Sequence, residues 1–230
     1  MSKYTSNVIV AGLDESDAEN MDAQQIDLAR VTNFGIWLDG SGSMYDWEQI
    51  VRDCLEKVKN AIKNSKQADE IQVGVTRFDS KVVPGGYQPI DKMKTDYYAG
   101  GTTLLYDCIV DGTARLLNYM NEQHAYGTTS NSIVAILSDG KDLGSHNKKG
   151  DAKKAIKELH DDEVTVAWIA FGDKARGIAE ELGVYPDDIK NVDATESELR
   201  SIFDLMSKSA ISASKAANEG NTVAGGFWNV

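Results

Sequence analysis

The chain has 230 residues, 41% of them hydrophobic and 8% aromatic, which suits one globular domain with a real core. Its formal net charge of −12 argues against nucleic acid as a primary partner, because phosphate recognition needs clustered Lys and Arg. No segment approaches the ~20 apolar residues of a membrane span, and the first apolar run is too short for a secretory signal. A cytoplasmic location with no membrane partner is therefore expected.

Residues 1–30 are polar and acidic apart from Val8-Ile9-Val10, and are expected to form an arm that packs loosely or pairs at an edge. Phe34 to Leu38 is a continuous apolar run, as in a strand buried on both faces. It breaks into Asp39-Gly40-Ser41-Gly42-Ser43. From Asp46 the apolar residues fall at Trp47, Ile50, Val51, Cys54, Leu55, Val58, Ala61 and Ile62, a helical spacing, and Asp46 with Gln49 has the form of a capping pair. Ile71–Ser80 reads as a second strand, and Lys81–Ile90 as a short edge hairpin around Gly85-Gly86. After Gly100-Gly101-Thr102-Thr103 comes a helix from about Leu105 to Asn121, then a strand over Ser132–Gly140 and a helix over Asp151–His160. Val164–Gly172 is the longest apolar strand. It is followed by a short helix at Lys174–Leu182, a last strand at Ile189–Ala194 and a closing helix from Thr195 to about Ala217. The remainder, 218–230, is Gly-rich and is expected to be mobile, with Phe227 and Trp228 as its candidates for docking. Cys54 and Cys108 sit on apolar helix faces without Cys or His neighbours at ligand spacing, and read as buried reduced thiols.

Strands alternating with helices imply right-handed crossovers and a mainly parallel sheet covered on both faces. The expected fold is α/β: a three-layer, doubly wound, Rossmann-like domain over residues 31–217. Ligands of such sheets bind at the carboxyl ends of the strands, where the strand order switches. Three polar clusters fall at such ends: Asp39, Ser41 and Ser43, then the Gly-Gly-Thr-Thr loop, then Asp139. If the strands ending at positions 38 and 138 are neighbours, Asp39 and Asp139 lie close together. Two carboxylates and three hydroxyls form a hard, all-oxygen set suited to Mg²⁺, Mn²⁺ or Ca²⁺ rather than Zn²⁺. Alternation at 39, 41 and 43 directs these side chains to the same side of an extended loop.

Taken in order, Asp-Gly-Ser-Gly-Ser, Gly-Gly-Thr and the strand-terminal Ser-Asp-Gly resemble the von Willebrand factor A (vWA) domain with its metal-ion-dependent adhesion site (MIDAS). The resemblance covers roughly residues 32 to 215, and "GGTTLLYDCI" looks more like intracellular bacterial members than integrin-type domains. It implies direct coordination by Ser41 and Ser43, a third hydroxyl from Thr102 or its neighbour Thr103, and Asp39 and Asp139 binding directly or through water. Mg²⁺ is the foremost cation. The last ligand would come from a Glu or Asp of a protein partner, and the family analogy extends to an AAA+ ATPase or a bacterial stress or defence system. Tyr45, Asp46, Thr103, Tyr106, Lys141 and Asp142 lie within a few residues of the implied ligands and are candidates for the rim that selects a partner.

Other readings start from the same residues. Asp-Gly-Ser-Gly-Ser-Met lacks the Gly-Lys-Ser/Thr ending of a P-loop and the last Gly of a dinucleotide fingerprint. A metal-dependent phosphate-ester hydrolase would use Asp39 and Asp139 to hold the cation, yet position 41 carries a hydroxyl where an aspartyl mechanism wants a second acid. His124, His146 and His160 fall in predicted helices or loops away from the three clusters, so an enzyme is not expected. A scaffold whose metal is purely structural is the remaining alternative.

Overall fold

The apolar run ahead of Asp39 forms the central strand of the fold. In a computed structural model, describing residues 30–172, 174–193, 195–221 and 226–229, this strand β1 covers Arg30–Asp39 and is buried along nearly its whole length. It begins four residues earlier than the apolar run suggests, because Thr32 and Asn33 are buried polar residues. Asn33 is satisfied there by Ser132 Oγ at 3.1 Å and Gln123 Oε1 at 2.7 Å. The expected arm over residues 1–30 lies, apart from Arg30, outside the described residues.

The strands are β2 (Ile71–Phe78), β3 (Val82–Val83), β4 (Gln88–Pro89), β5 (Thr129–Ser138), β6 (Thr165–Phe171) and β7 (Ile189–Val192). They form one seven-stranded sheet in the order β3-β2-β1-β5-β6-β7, with β4 also on β2. The pairs among β2, β1, β5, β6 and β7 are parallel. The 81–90 segment is an edge, as expected, but not a hairpin closed on itself. Val82 and Val83 pair with Phe78 and Arg77, Gln88 and Pro89 pair with Val73 and Gln72, and the intervening chain detours past β2. Pro89, with no N–H to donate, is tolerated at such an edge.

Helices α1 (Glu48–Lys63), α2 (Leu105–Ala125), α3 (Lys149–Asp161), α4 (Ala175–Leu182) and α5 (Glu196–Asn218) cover both faces. One core layer joins β1 side chains Phe34, Ile36 and Leu38 to α1 and α5. The other joins Trp37, Val134, Ile136 and Trp168 to α2, α3 and α4. This is the doubly wound three-layer α/β arrangement read from the sequence. The stripe Ile50, Val51, Cys54, Leu55, Val58 and Ile62 seals α1 onto the sheet, each large aliphatic side chain contributing about 1.5–3 kcal/mol. Cys54 and Cys108 are free and buried, and burial pushes the Cys54 thiol up to about 11. The predicted Asp46–Gln49 capping pair does not form. A 3-10 turn over Gly42–Trp47 leads into α1 instead, and Gln49 Nε2 donates to Asp53 Oδ1 at 2.8 Å.

The expected mobile tail over 218–230 is corrected at its aromatic end. Phe227 and Trp228 are buried, with Phe227 6.4 Å from the Phe34 ring and 4.8 Å from Trp228. Asp188 anchors them: Oδ1 accepts from Gly226 N at 3.0 Å and Phe227 N at 2.8 Å, and its carbonyl accepts from Trp228 Nε1 at 2.7 Å. Burying two aromatic rings removes enough apolar surface from water to hold residues 226–229 against the core.

Candidate metal centre

Strand β1 pairs with consecutive β2 on one side and with β5 on the other, so the topology switches between β1 and β5. Asp39 is the last residue of β1 and Asp139 directly follows β5, which places both acids at that switch point. The chain then leaves β1 through a loop locked by its neighbours. Gly40 N donates to Phe78 O at 2.7 Å, Gly100 N to Gly40 O at 2.7 Å, and Gly42 N to Gly101 O at 3.2 Å. Glycine is required at position 40, where a Cβ would stand 2.8 Å from Tyr98 O, and at position 101, where φ is +78°.

Within this frame four of the predicted residues touch in a chain. Ser41 N donates to Asp39 Oδ1 at 2.9 Å, Ser41 Oγ and Ser43 Oγ are 3.0 Å apart, and Ser43 Oγ donates to Asp139 Oδ2 at 3.2 Å. Neighbouring oxygens around an octahedral ion with bonds of about 2.1 Å stand about 3 Å apart, so these spacings fit a small hard cation. No group of three or more His, Cys, Asp or Glu side chains that could hold a metal occurs among the described residues, so a site here relies on hydroxyls. Asp39, Ser41, Ser43 and Asp139 are the residues that would hold it, with Thr102 on the adjoining loop.

The electrostatics point the same way. Asp39 is fully buried, and burial raises its carboxyl above the ordinary carboxylate value. Hydrogen bonds from Ser41 and Ser138 pull it down, while Asp139 pushes it up. A divalent cation would favour the ionised form of both carboxylates together. The folded state holds the Asp39 proton more tightly than the unfolded chain, so metal-free stability falls as pH rises from the unfolded value through the folded one. Cation binding favours the ionised form and weakens as pH falls. The thermal shift produced by a fixed Mn²⁺ concentration is expected to be larger at about pH 7.5 than at about pH 5. Melting curves at the two pH values check this, and equal shifts would remove Asp39 from the set.

Thr102 and Thr103 differ in placement. Thr102 is exposed, its N–H donating to Ser80 Oγ at 3.1 Å and its hydroxyl lying 3.4 Å from the same oxygen. Thr103 is 2% exposed, and its carbonyl accepts from Leu143 N at 3.0 Å. Thr103 is therefore corrected as a rim residue: it pins two loops together from beneath. Thr102→Ala is expected to weaken cation binding severalfold with little loss of stability. Thr103→Ala keeps the backbone contact to Leu143 but empties part of a buried site, and is expected to cost about 1 kcal/mol of stability and leave affinity nearly unchanged. Calorimetry and denaturant unfolding of both variants separate the two roles.

Asp142 is corrected as well. Its Oδ1 accepts from Tyr106 N at 3.2 Å and Ser145 Oγ at 2.5 Å, fixing the start of α2 rather than facing a partner. Tyr106 is half-buried against the core. Tyr45, 69% exposed, Asp46 and Lys141 stand out in solvent beside the site. Lys141 Nζ bonds Asp139 Oδ2 at 2.7 Å, and that contact raises the ammonium's pKa.

Sequence reasoning missed two supporting residues. Ser138 Oγ donates to Asp39 Oδ2 at 2.7 Å and accepts from Gly140 N at 3.0 Å, tying the two acid-bearing loops together. Tyr97 OH donates to the Asp39 carbonyl. Ser138 was signalled only by being a hydroxyl at the end of an apolar strand, and Tyr97 carried no signal.

No protein-family model matches the chain, and no curated protein matches it in sequence. Solved structures do share its fold. The pilus adhesin SpaC from Lactobacillus rhamnosus GG, in an open conformation, matches with a TM-score of 0.66 at 13% identity, over 79% of this chain and 30% of that one. Manganese-loaded TRAP protein from Plasmodium vivax matches at 0.53 and 21% identity, over 75% and 73%. Proximal thread matrix protein 1 from the mussel byssus, with a zinc-occupied MIDAS motif, matches at 0.54 and 17% identity, over 81% and 47%. The chain thus spans under a third of the pilus adhesin and under half of the byssus protein. At these identities the likeness shows a vWA-like fold and nothing finer.

Proposed function

We propose that this chain is a divalent-cation-dependent protein-interaction module. The observation that carries the reading is the chain of contacts from Asp39 through Ser41 and Ser43 to Asp139, formed from two loops at the switch point of the sheet. With Thr102, these residues would hold Mg²⁺, or Mn²⁺ or Ca²⁺ in its place, and the bound ion would supply an open coordination position for an outside carboxylate. Two of the similar structures hold a metal, manganese in one and zinc at a MIDAS motif in the other.

The surroundings suit a protein ligand that places an acidic side chain among apolar ones. Tyr45, Tyr98 and Leu143 are 69%, 56% and 69% exposed on the three loops that form the site. The guanidiniums of Arg52 and Arg77, each ion-paired to a carboxylate, lie 5.0 Å and 5.9 Å from the Tyr98 ring centroid and support the ring from within the protein. Large exposed rings beside charge-bearing loops are typical anchors of protein interfaces.

The reading extends to a non-enzymatic role in the cytoplasm of a bacterium, with an AAA+ ATPase or another component of a stress or defence system as partner. Among the described residues no helix is long and apolar enough to cross a membrane. The reading takes Asp39 and Asp139 as ligands rather than as proton-transfer groups. His124 and His160 surround the first residues of β5 and β6, at the other end of the sheet, and His146 is engaged by Asp107. The test is capture from a native lysate with Mg²⁺ or with EDTA. A protein retained by the wild type only with Mg²⁺, and not retained by Asp39→Ala, is the expected result; identical profiles under all conditions would discard the function.

A further inference from the structure

Both oxygens of Asp139 are occupied by one residue. Lys141 N donates to Oδ1 at 3.0 Å, and Lys141 Nζ donates to Oδ2 at 2.7 Å. Oδ2 is also the oxygen that faces the hydroxyl pair, since it accepts from Ser43 Oγ at 3.2 Å. The ammonium therefore sits on the side of Asp139 from which a cation shared with Ser43 would be held. Among the described residues Asp39 has no ammonium partner, its oxygens being bonded to Ser41 N and Ser138 Oγ.

We propose that Lys141 is a tethered cation that occupies Asp139 when no metal is bound, competes with the divalent ion for Oδ2, and so sets the affinity of the site. The inference rests on the reading of this cluster as a cation site.

The energetic balance of the exchange can be followed residue by residue. The Asp139 side chain is 13% exposed while that of Lys141 is 60% exposed. A carboxylate so nearly enclosed, beside the buried Asp39, gains from a positive charge at contact distance more than an exposed one does. The lysine loses little on leaving, because its flexible stem already stands in solvent and a free ammonium is well hydrated. An intervening span of one residue makes the competitor local, so its effect does not depend on protein concentration or on closure of a long loop. Its single charge and its placement on only one of the two carboxylates let a divalent ion, which would engage both, displace it.

Once displaced, the ammonium remains tethered beside Asp139, where a carboxylate brought by a partner would meet it. Lys141 then acts as a positioning residue at two stages, opposing loading of the metal and favouring the loaded site's acidic ligand. A surface ion pair with no such role would affect stability alone.

The experiment is calorimetric titration of Mn²⁺ into wild type, Lys141→Met and Lys141→Arg at low ionic strength, with melting curves in EDTA and in saturating Mn²⁺. Lys141→Met is expected to bind Mn²⁺ about two- to fivefold more tightly than wild type, the range that a partly exposed ion pair supports, and Lys141→Arg to match wild type. The gain should shrink in high salt. In EDTA the Met variant should melt below wild type, and in saturating Mn²⁺ the difference should vanish or reverse. Equal or weaker Mn²⁺ binding by Lys141→Met, with clear binding by wild type, overturns the role of the lysine and leaves the cation site standing. No binding by either protein overturns both.

Discussion

Replacing Asp39 by alanine is expected to abolish the heat of Mn²⁺ or Mg²⁺ titration and with it all cation-dependent stabilisation. A ligand at about one hundred times its dissociation constant stabilises a folded protein by about 2.7 kcal/mol, and the wild type should show a gain of that order. The variant should show none. Its metal-free stability is the more informative number, because two effects oppose. Removing the carboxylate leaves Ser41 N and Ser138 Oγ without their acceptor, at a cost of about 1–3 kcal/mol. It also removes a fully buried acid whose charged form is disfavoured by burial. The metal-free variant should therefore lie within about 2 kcal/mol of wild type, while the cation-loaded proteins differ by more. Ser41→Ala with Ser43→Ala distinguishes holding a partner from holding the fold. If the cation serves only as a structural staple, the double variant will melt lower and still bind the partner; under the interaction reading it loses both the cation and the partner.

The parts of this architecture that were legible from the chain are those fixed by burial on both sides. A strand such as β6, buried at every position, leaves an unbroken apolar run, and α1 leaves a helical stripe. The alternation of strands and helices implied a switch point, while the meeting of Asp39 and Asp139 depended on β1 and β5 being neighbours, which the sheet order shows. What escaped detection depends on which way a side chain turns at one position. Thr102 and Thr103 are adjacent and chemically identical, yet one is exposed and the other buried. Asp142 carries the same side chain as Asp139 three residues away, but its carboxylate turns back to the first turn of α2. Ser138 is the last residue of β5, beside the end of β1, and reaches Asp39 Oδ2 from within the sheet. Spacing identifies residues that can meet; only the fold decides which hydroxyl supports and which one is offered. The 81–90 edge shows the same limit, since two short segments pairing with a common neighbour have the pattern of a hairpin.

The aromatic tail gives the largest expected effect on stability. Trp228→Ala is expected to destabilise the protein by about 3–5 kcal/mol, because it empties a buried site and leaves the Asp188 carbonyl without its indole donor. For a domain of this size that is a fall of roughly 6–20 °C in melting temperature. Phe227→Ala should cost a similar amount, since its ring contacts both Phe34 and Trp228. The double variant should cost less than the sum, as the two rings share a contact and the Asp188 anchor. Trp228→Phe, which keeps most of the apolar area and loses the hydrogen bond, should recover more than half of the loss. The cation site should be indifferent to all of these changes. Phe34 lies five residues before Asp39, about 16 Å back along β1, and Asp188 precedes β7 at the amino ends of the strands. Denaturant unfolding and Mn²⁺ calorimetry on the same variants measure both quantities. A loss below about 1 kcal/mol for Trp228→Ala would mean that this segment adds nothing to the folded state. A large loss of stability with unchanged affinity assigns the tail to the core and separates it from the site at the opposite end of the sheet.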